Sequence, residues 1–527
     1  IETLATALRL RHLKSTTPLT NAAVDPPEVR DIYRVSSWQY FVGGTIQAIG
    51  LYFVIGLFSL HWLAPYLTFA YAIDDEYSNT EAVVFSVATL LLLYPAMIAL
   101  SIAVKWLVLG RAQPGRYPMW GSYFLRWWFV ESIRGIVPTN YLTGTPLLSL
   151  YYRMMGARIG ANVHLGNDGG AMFDLLSIGD DSCLGADSHF TGFTINDGWL
   201  ILGHVEIGRR CFVGTRSLLG PSTRMDDDSS LEDLSMLPIG GRIPTGERWH
   251  GSPSRSAECQ TDIPLAPPIP RPSLPRRLAF GLLCTLGLFT FPLLPMVAFF
   301  PGMVVMTHLN KLDDYYYYLV LAPLVAVSFV LFISLEIAAL KWLLLGRIKP
   351  GAYPLHDSFC FRKWFFDRTM TLSLDVIGPL YSTLYLAPWY RLLGANLGRR
   401  AEISTASFVS PDCLNIGDES FVADAVSLGA ARIRNGFLTI DQITIGTRTF
   451  IGNSALIPIG ATIPDNCLIG CLSMPPSAAI SNGSSWLGSP PFFLPQRQLT
   501  TGFPPELTFR PTRRLIALRL FIEFFRV

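Results

Sequence analysis

Ile445-Gly-Thr-Arg-Thr-Phe-Ile451-Gly-Asn-Ser-Ala-Leu-Ile457-Pro-Ile-Gly-Ala-Thr-Ile463-Pro-Asp-Asn-Cys-Leu-Ile469 returns an isoleucine at every sixth position without a break. A helix repeats its buried face every 3.6 residues and a strand every two, so neither regular element accounts for this period. A chain that turns a corner in each hexad does. The aliphatic residue points inward, a Gly or small residue after it permits the corner, and three hexads close one turn of a triangular coil. Upstream, Leu397, Ile403, Val409, Ile416, Val422 and Leu428 keep the spacing with one extra residue, and an excursion separates them from Ile445. Ile159, Leu165, Ala171, Ile178, Leu184 and Phe190 repeat the pattern, extra residue included. Ile178-Gly-Asp-Asp, Leu184-Gly-Ala-Asp, Ile207-Gly-Arg-Arg and Val213-Gly-Thr-Arg show the Gly position.

The duplication extends beyond the hexads. Lys105-Trp-Leu-Val-Leu-Gly-Arg-Ala-Gln-Pro-Gly-Arg-Tyr-Pro118 is matched by Lys341-Trp-Leu-Leu-Leu-Gly-Arg-Ile-Lys-Pro-Gly-Ala-Tyr-Pro354, and Tyr152-Arg-Met-Met-Gly-Ala by Tyr390-Arg-Leu-Leu-Gly-Ala. Trp249-His-Gly-Ser-Pro253 answers Trp486-Leu-Gly-Ser-Pro490. One unit therefore runs to about residue 256 and the next from about 273 to 495. Arg513-Arg-Leu-Ile-Ala-Leu-Arg-Leu520 echoes Arg276-Arg-Leu-Ala-Phe-Gly-Leu-Leu283, which opens the second unit, so a third is expected to begin there.

Half of the 527 residues are hydrophobic and only 15% are charged, which argues against a wholly soluble protein. Apolar stretches at about Tyr40–Ile73, Ala82–Leu109, Leu278–Met306 and Tyr317–Leu345 each exceed the ~20 residues needed to cross the hydrocarbon. Their connecting turns hold Asp74, Asp75, Glu76, Asp313 and Asp314, whereas their far ends hold Lys105, Arg111, Arg116, Lys341, Arg347 and Lys349. Basic residues favour the cytoplasmic side, so both coils are expected to face the cytoplasm. Trp120–Phe129 and Phe359–Phe366 mix Trp, Tyr, Phe and Arg, as a helix at the headgroup level would. A net charge of +2 with no basic run gives nucleic acid no electrostatic footprint. The eight cysteines are scattered singly, without zinc spacing, as small hydrophobes in a reducing compartment would be.

Paired membrane helices feeding a hexapeptide coil, repeated in tandem, resemble the carboxy-terminal region of the ε-poly-lysine-synthetase-type nonribosomal peptide synthetases. The two Lys-Trp-Leu…Pro-Gly-x-Tyr-Pro blocks, Phe212-Val-Gly-Thr-Arg216, Phe450-Ile-Gly-Asn-Ser454 and the closing Gly-Ser-Pro blocks carry the likeness over nearly the whole chain. It implies a fold of transmembrane helical hairpins alternating with left-handed parallel β-helices of the trimeric hexapeptide-acyltransferase type. The corresponding boundaries are a carrier-domain end and linker at 1–37, a hairpin at 38–111, an interfacial segment at 112–156 and a β-helix at 157–256. After a Pro-rich linker at 257–275 come a hairpin at 276–347, an interfacial segment at 348–394, a β-helix at 395–495 and the start of a third unit at 496–527. Ile1–Leu10 looks like the last helix of a carrier domain, and the chain, opening on Ile1, looks like a piece of a longer one.

The activity so implied is amide synthesis: an aminoacyl thioester on a carrier's phosphopantetheine arm is attacked by an amine. The implied partners are the carrier and adenylation domains of the same polypeptide and the lipid bilayer, with the three units forming an intrachain pseudo-trimer. Such a transfer needs a base near the amine and donors around the developing oxyanion. His189 stands before the excursion loop at Asn196-Asp-Gly198 and is the first candidate, with His164 the alternative; both otherwise read as solvated corner histidines. They fall at different corners and cannot form one dyad. Unit two has no histidine after His356, so its coil is a scaffold or acts by positioning. Asp174, with Asp412 as its counterpart, is a candidate to orient an incoming ammonium group, the plainer reading being turn chemistry. Family members often carry a His-x-Phe-Glu-Asp-like run in an excursion, and Phe193 and Ala431 stand at that histidine here.

Gly251, Ser252, Pro253 and Arg255, with Gly488, Ser489 and Pro490, resemble the element that approaches the donor's pantetheine, or else are exit turns. No metal site is expected. Competing readings are a non-catalytic scaffold or export module for carrier and product, and a membrane O-acetyltransferase using acetyl-CoA.

Overall fold

The computed structural model describes residues 32–257, 273–309, 316–495, 504, 506 and 508–527. The expected carrier-domain helix and most of the Pro-rich linker lie outside them. Ten helices are used below: α1 (Ser37–Asp74), α2 (Asn79–Val104), α3 (Ser122–Gly135), α4 (Pro146–Met154), α5 (Leu274–Leu288), α6 (Leu293–Leu309), α7 (Tyr316–Leu344), α8 (Ser358–Val376), α9 (Leu386–Leu392) and α10 (Arg513–Arg526).

Among the described residues four helical stretches are long and apolar enough to cross a membrane: Ser37–Asp74, Asn79–Leu109, Leu274–Met306 and Leu321–Leu344. α1 and α2 begin with capping boxes, Ser36 with Gln39 and Ser78 with Glu81, in which the N–H groups of Gln39 and Glu81 and those of the two serines find side-chain acceptors. The third stretch departs from the continuous span expected at Leu278–Met306. It is broken between α5 and α6, where Pro292 has no N–H to continue the ladder. At this break Phe291 is stacked between Tyr141 of the first unit and Phe365 of the second, with ring centroids 5.2 and 5.1 Å away.

Residues 158–256 and 396–493 each wind through three sheets whose strands pair in parallel, except for the excursion hairpin and the closing strand of each coil, which pair antiparallel. In one sheet Ile159, Ile178, Ile207, Met225 and Ile243 stand in register across successive strands; in the next, Leu165, Leu184, Val213, Leu231 and Trp249 do. The undisturbed return is 18 residues, as between Arg209 and Asp227, or three hexads. Ile445, Ile451, Ile457, Ile463 and Ile469 all lie on strands and are 0–1% exposed, so the six-residue period is the period of the core. Burying each such side chain contributes about 1.5–3 kcal/mol.

The corner chemistry differs from expectation. Gly208 does not supply the left-handed turn; a Cβ there would lie 2.6 Å from Asp227 Oδ1 and 2.8 Å from Asp227 N on the next coil. The glycine thus gives clearance between coils, and Asp227 Oδ1 uses the space to accept the Arg209 N–H at 2.8 Å. Left-handed backbone falls two residues later in the hexad, at Arg210, Arg216, Ser222, Asp228 and Leu234, with φ of 50–60°.

The recurring Lys-Trp…Pro-Gly-x-Tyr-Pro block is a joint between long apolar helix and coil. Lys105 Nζ donates to Asp174 at 2.9–3.0 Å, and the Ala112 N–H donates to the other carboxylate oxygen at 3.0 Å. Lys341, Asp412 and Ile348 repeat this at 2.9 and 3.0 Å. Trp106 and Trp342 donate to Met154 O and Leu392 O, both at 2.8 Å. The Pro-Gly-x-Tyr-Pro segment then forms a strand on the excursion hairpin: Gly115–Pro118 pairs with Trp199–Leu202, and Gly351–Pro354 with Phe437–Ile440.

Candidate active site

The two coils touch through unlike surfaces. The excursion hairpin of the second unit, Arg432–Arg434 and Phe437–Ile440, lies on the outer face of the first unit's sheet that contains His164, Cys183, Phe212 and Ser230. Arg432 Nη2 donates to Glu232 Oε2 at 2.7 Å and Arg434 Nη2 to Ser230 Oγ at 3.1 Å. Both guanidinium groups lie over the Phe212 ring, 4.6 and 5.2 Å from its centre. In the other direction Arg216 reaches Ser454 O and Ser407 Oγ at 3.3 and 3.4 Å.

Helix α8 makes the second crossing. It is helical in the place expected of an interfacial segment, but it also binds the neighbouring unit: Trp364 Nε1 donates to Thr143 O at 2.9 Å, and Arg368 Nη1 to Asn140 O at 2.9 Å and to Thr143 Oγ1. Between α8, the hairpin and the first coil a cavity of about 100 Å³ remains. His164, Gly144 and Ala186 line it from the first unit, and Lys363, Asp367 and Arg368 from the second. Ala431, at the place where the family run would put a histidine, is also on its wall.

Burial drives the His164 imidazole down to about 4, with His356 and Arg368 adding a smaller push in the same direction. It is therefore neutral at pH 7. Lys363 is nearly fully buried and is held by Asp367 Oδ1 at 2.5 Å.

His189 lies on a different sheet from His164 and its side chain is half exposed. Its Nε2 is 3.4 Å from Asp187 Oδ1, and Asp187 Oδ2 accepts from Arg216 Nε at 3.1 Å. The hydrogen bond to Asp187 raises the imidazole pKa above its ordinary value. This chain of contacts continues through Arg216 into the second coil, so both candidate histidines border the junction, by separate routes.

Asp174 does orient an ammonium group, but that of Lys105. With side chains only 2% and 9% exposed, the pair is closed to a substrate amine. The Gly-Ser-Pro blocks meet each other. The Ser252 N–H donates to Ser489 O at 3.0 Å, and a Cβ on Gly251 would stand 2.7 Å from Pro490 Cδ. The clearance at Gly251 is thus filled by the second unit, Gly488 is backed by Phe492, and Arg255 is exposed on the closing strand.

Sequence reasoning missed Lys363, Asp367 and Arg368. A signal was present: aligned on Trp128 and Trp364, Lys363 and Arg368 replace Trp127 and Ser132 in an otherwise aromatic stretch. Two cations introduced on a packed helix imply a local reason.

Residues 442–471 match the hexapeptide repeat of succinyl-transferase. The chain is similar to a poly-amino-acid synthetase. It is 32% identical over 499 residues, 92% of its length, to delta-poly-L-ornithine synthetase of Acinetobacter baumannii strain AB307-0294, and it spans 37% of that relative. Among solved structures, a hexapeptide-repeat acetyltransferase from Vibrio cholerae is 10% identical, covering 32% of this chain and 93% of its own, with a TM-score of 0.20. Soybean serine acetyltransferase is 14% identical, covering 42% and 85%, also with a TM-score of 0.20.

Proposed function

We propose that this chain is an acyltransferase-like membrane module of a nonribosomal peptide synthetase, joining a carrier-bound aminoacyl thioester to an amine between two tandem left-handed β-helices. The observation that carries the reading is the inter-unit cavity, where a neutral histidine of one coil faces the cation-bearing helix of the next. The likeness to a poly-ornithine synthetase supports amino-acid amide formation as the chemistry.

In the reaction the amine nitrogen attacks the thioester carbonyl, the C–N bond forms, the C–S bond breaks, and the pantetheine thiol leaves with a proton. His164, neutral at working pH, takes the amine proton as the tetrahedral adduct forms. The Asp187-supported His189, more basic and outside the cavity, is the second candidate. The phosphopantetheine arm belongs to a carrier outside these residues and supplies the activated thioester. Helix ends rich in Lys and Arg support a cytoplasmic position for the coils.

The head-to-tail contact supports a pseudo-trimer as well, because unlike surfaces close into a ring only when further units continue the rotation. Phe421 and Phe450, stacked 5.8 Å apart on the second coil, occupy the sheet equivalent to that of Phe212 and are 39% and 41% exposed.

The deciding experiment replaces His164 and His189 by Asn, singly and together, in the complete synthetase and measures polymer formation. Loss of at least a hundredfold with unchanged aminoacyl loading of the carrier is expected from removal of a base. Undiminished product in the double variant would make the coils a scaffold.

A further inference from the structure

The junction holds a partly buried cation that forms no ion pair among the described residues. Arg368 lines the cavity beside His164, and its Nε is shut off from solvent without a hydrogen-bond partner. Among the described residues no carboxylate lies within ion-pairing distance of it. The nearby acids are otherwise engaged. Asp367 holds Lys363, and Asp168 accepts from Thr139 Oγ1 at 2.5 Å; both act on Arg368 only through space. His164 is neutral, and His356 and Lys363 add no negative charge.

Buried charges are ordinarily paired, because an isolated one forfeits its hydration with nothing in return. A guanidinium is also the side chain best shaped to take two oxygens of a carboxylate or phosphate side by side. The cavity volume of about 100 Å³ is well below the ~300 Å³ or more of pockets that enclose a whole small ligand. It suits the end group of a molecule whose remainder lies along the junction.

We propose that this cavity is an oxyanion subsite in which Arg368 grips the carboxylate of an amino-acid acceptor or the phosphate of a pantetheine arm. The choice of these two sources rests on the acyl-transfer reading; the subsite itself rests on the unpaired cation and the cavity. A seated anion would also cancel the field that Arg368 exerts on His164. That field is the smallest of the three causes that lower His164, so a filled subsite would move the imidazole upward by a small amount while burial keeps it below its ordinary value.

The test uses the full chain in detergent with labelled histidine, following the His164 ring resonance and calorimetric binding with three probes: L-ornithine, its methyl ester and inorganic phosphate. Binding of the amino acid but not the ester, with an upward move of the His164 titration, identifies a carboxylate. Binding of phosphate, with the amino acid silent, identifies the pantetheine arm as the source. In either case Arg368→Gln should weaken binding by about tenfold or more, and Arg368→Lys by distinctly less, since it retains the charge but not the fork.

Because Arg368 also bonds to Asn140 and Thr143, the Lys variant guards against a merely unfolded Gln variant. Equal binding in wild type and Arg368→Gln, or no response of His164 to any probe, overturns the proposal. Product formation is not the readout, so such a failure leaves the acyl-transfer reading standing. Conversely, intact probe binding with unimpaired product in the histidine variants would sink that reading alone.

Discussion

Replacing Lys341 by Met should open the joint between the second apolar hairpin and its coil. In the native protein Lys341 is fully buried, Asp412 is 8% exposed, and their 2.9 Å contact is one of two donors to the carboxylate, the other being the Ile348 N–H. Removing the ammonium leaves a desolvated carboxylate with a single neutral donor. Breaking a buried pair from one side costs roughly 3–5 kcal/mol, which at about 1.4 kcal/mol per decade raises the locally open population by roughly a hundredfold to a few thousandfold. The Ile348 amide reports this directly, and its hydrogen-exchange rate should rise by that factor. Adding Asp412→Asn to Lys341→Met keeps the acceptor for Ile348 and removes the stranded charge. The double variant should therefore exchange more slowly than Lys341→Met alone. A change of less than about threefold in the single variant, or a double variant as fast as the product of the two singles, would refute the pairing as the lock.

Three further outcomes follow from the junction. His164 is depressed in the fold relative to the unfolded chain, so the unfolded state binds the extra proton between about pH 6.5 and 4. Stability should thus fall as pH drops through that window, less steeply in His164→Gln; an imidazole titrating near 6.5 by NMR contradicts this. Asp187→Asn should lower the pKa of His189, observed as a downward shift of its ring titration, because the hydrogen bond that His189 donates to Asp187 is the largest cause of its elevation. An unshifted curve would detach His189 from Asp187. Gly251→Ala meets both a φ of +99° and Pro490 Cδ at 2.7 Å, and should destabilise the contact between units by about 1–3 kcal/mol, read as faster hydrogen exchange of the Ser252 N–H that donates to Ser489 O; unaltered exchange would remove that contact from the interface.

The six-residue period was legible because every inward residue of a repeating coil faces the same environment, so Ile445 and Ile469 obey one rule. The excursions were legible only as interruptions. Their pairing with Gly115–Pro118 and Gly351–Pro354 depends on strands far apart in the chain, which no local pattern encodes. Asp174 was legible as a carboxylate awaiting an ammonium, yet its partner lies 69 residues away at the end of a long apolar helix, where a lysine reads just as well as a topology signal. The glycine after each aliphatic residue was legible as a necessity, but its cause was misplaced: Gly208 yields to the neighbouring coil, and Arg210 takes the left-handed backbone. His164 was visible as a residue, whereas its neighbours Lys363 and Arg368 arrive from the other unit and so belong to no motif.

The Arg432–Arg434 hairpin resting on Phe212 has a consequence for how such an assembly changes over time. In a ring of identical subunits one substitution is copied into every seam at once, and a change useful in one place must be tolerable in all. Here the hairpin and the face that receives it are encoded separately: Thr194 and Asn196 stand in the first hairpin where Arg432 and Arg434 stand in the second. The two sides of this seam can therefore drift independently, without the same change appearing in the other unit.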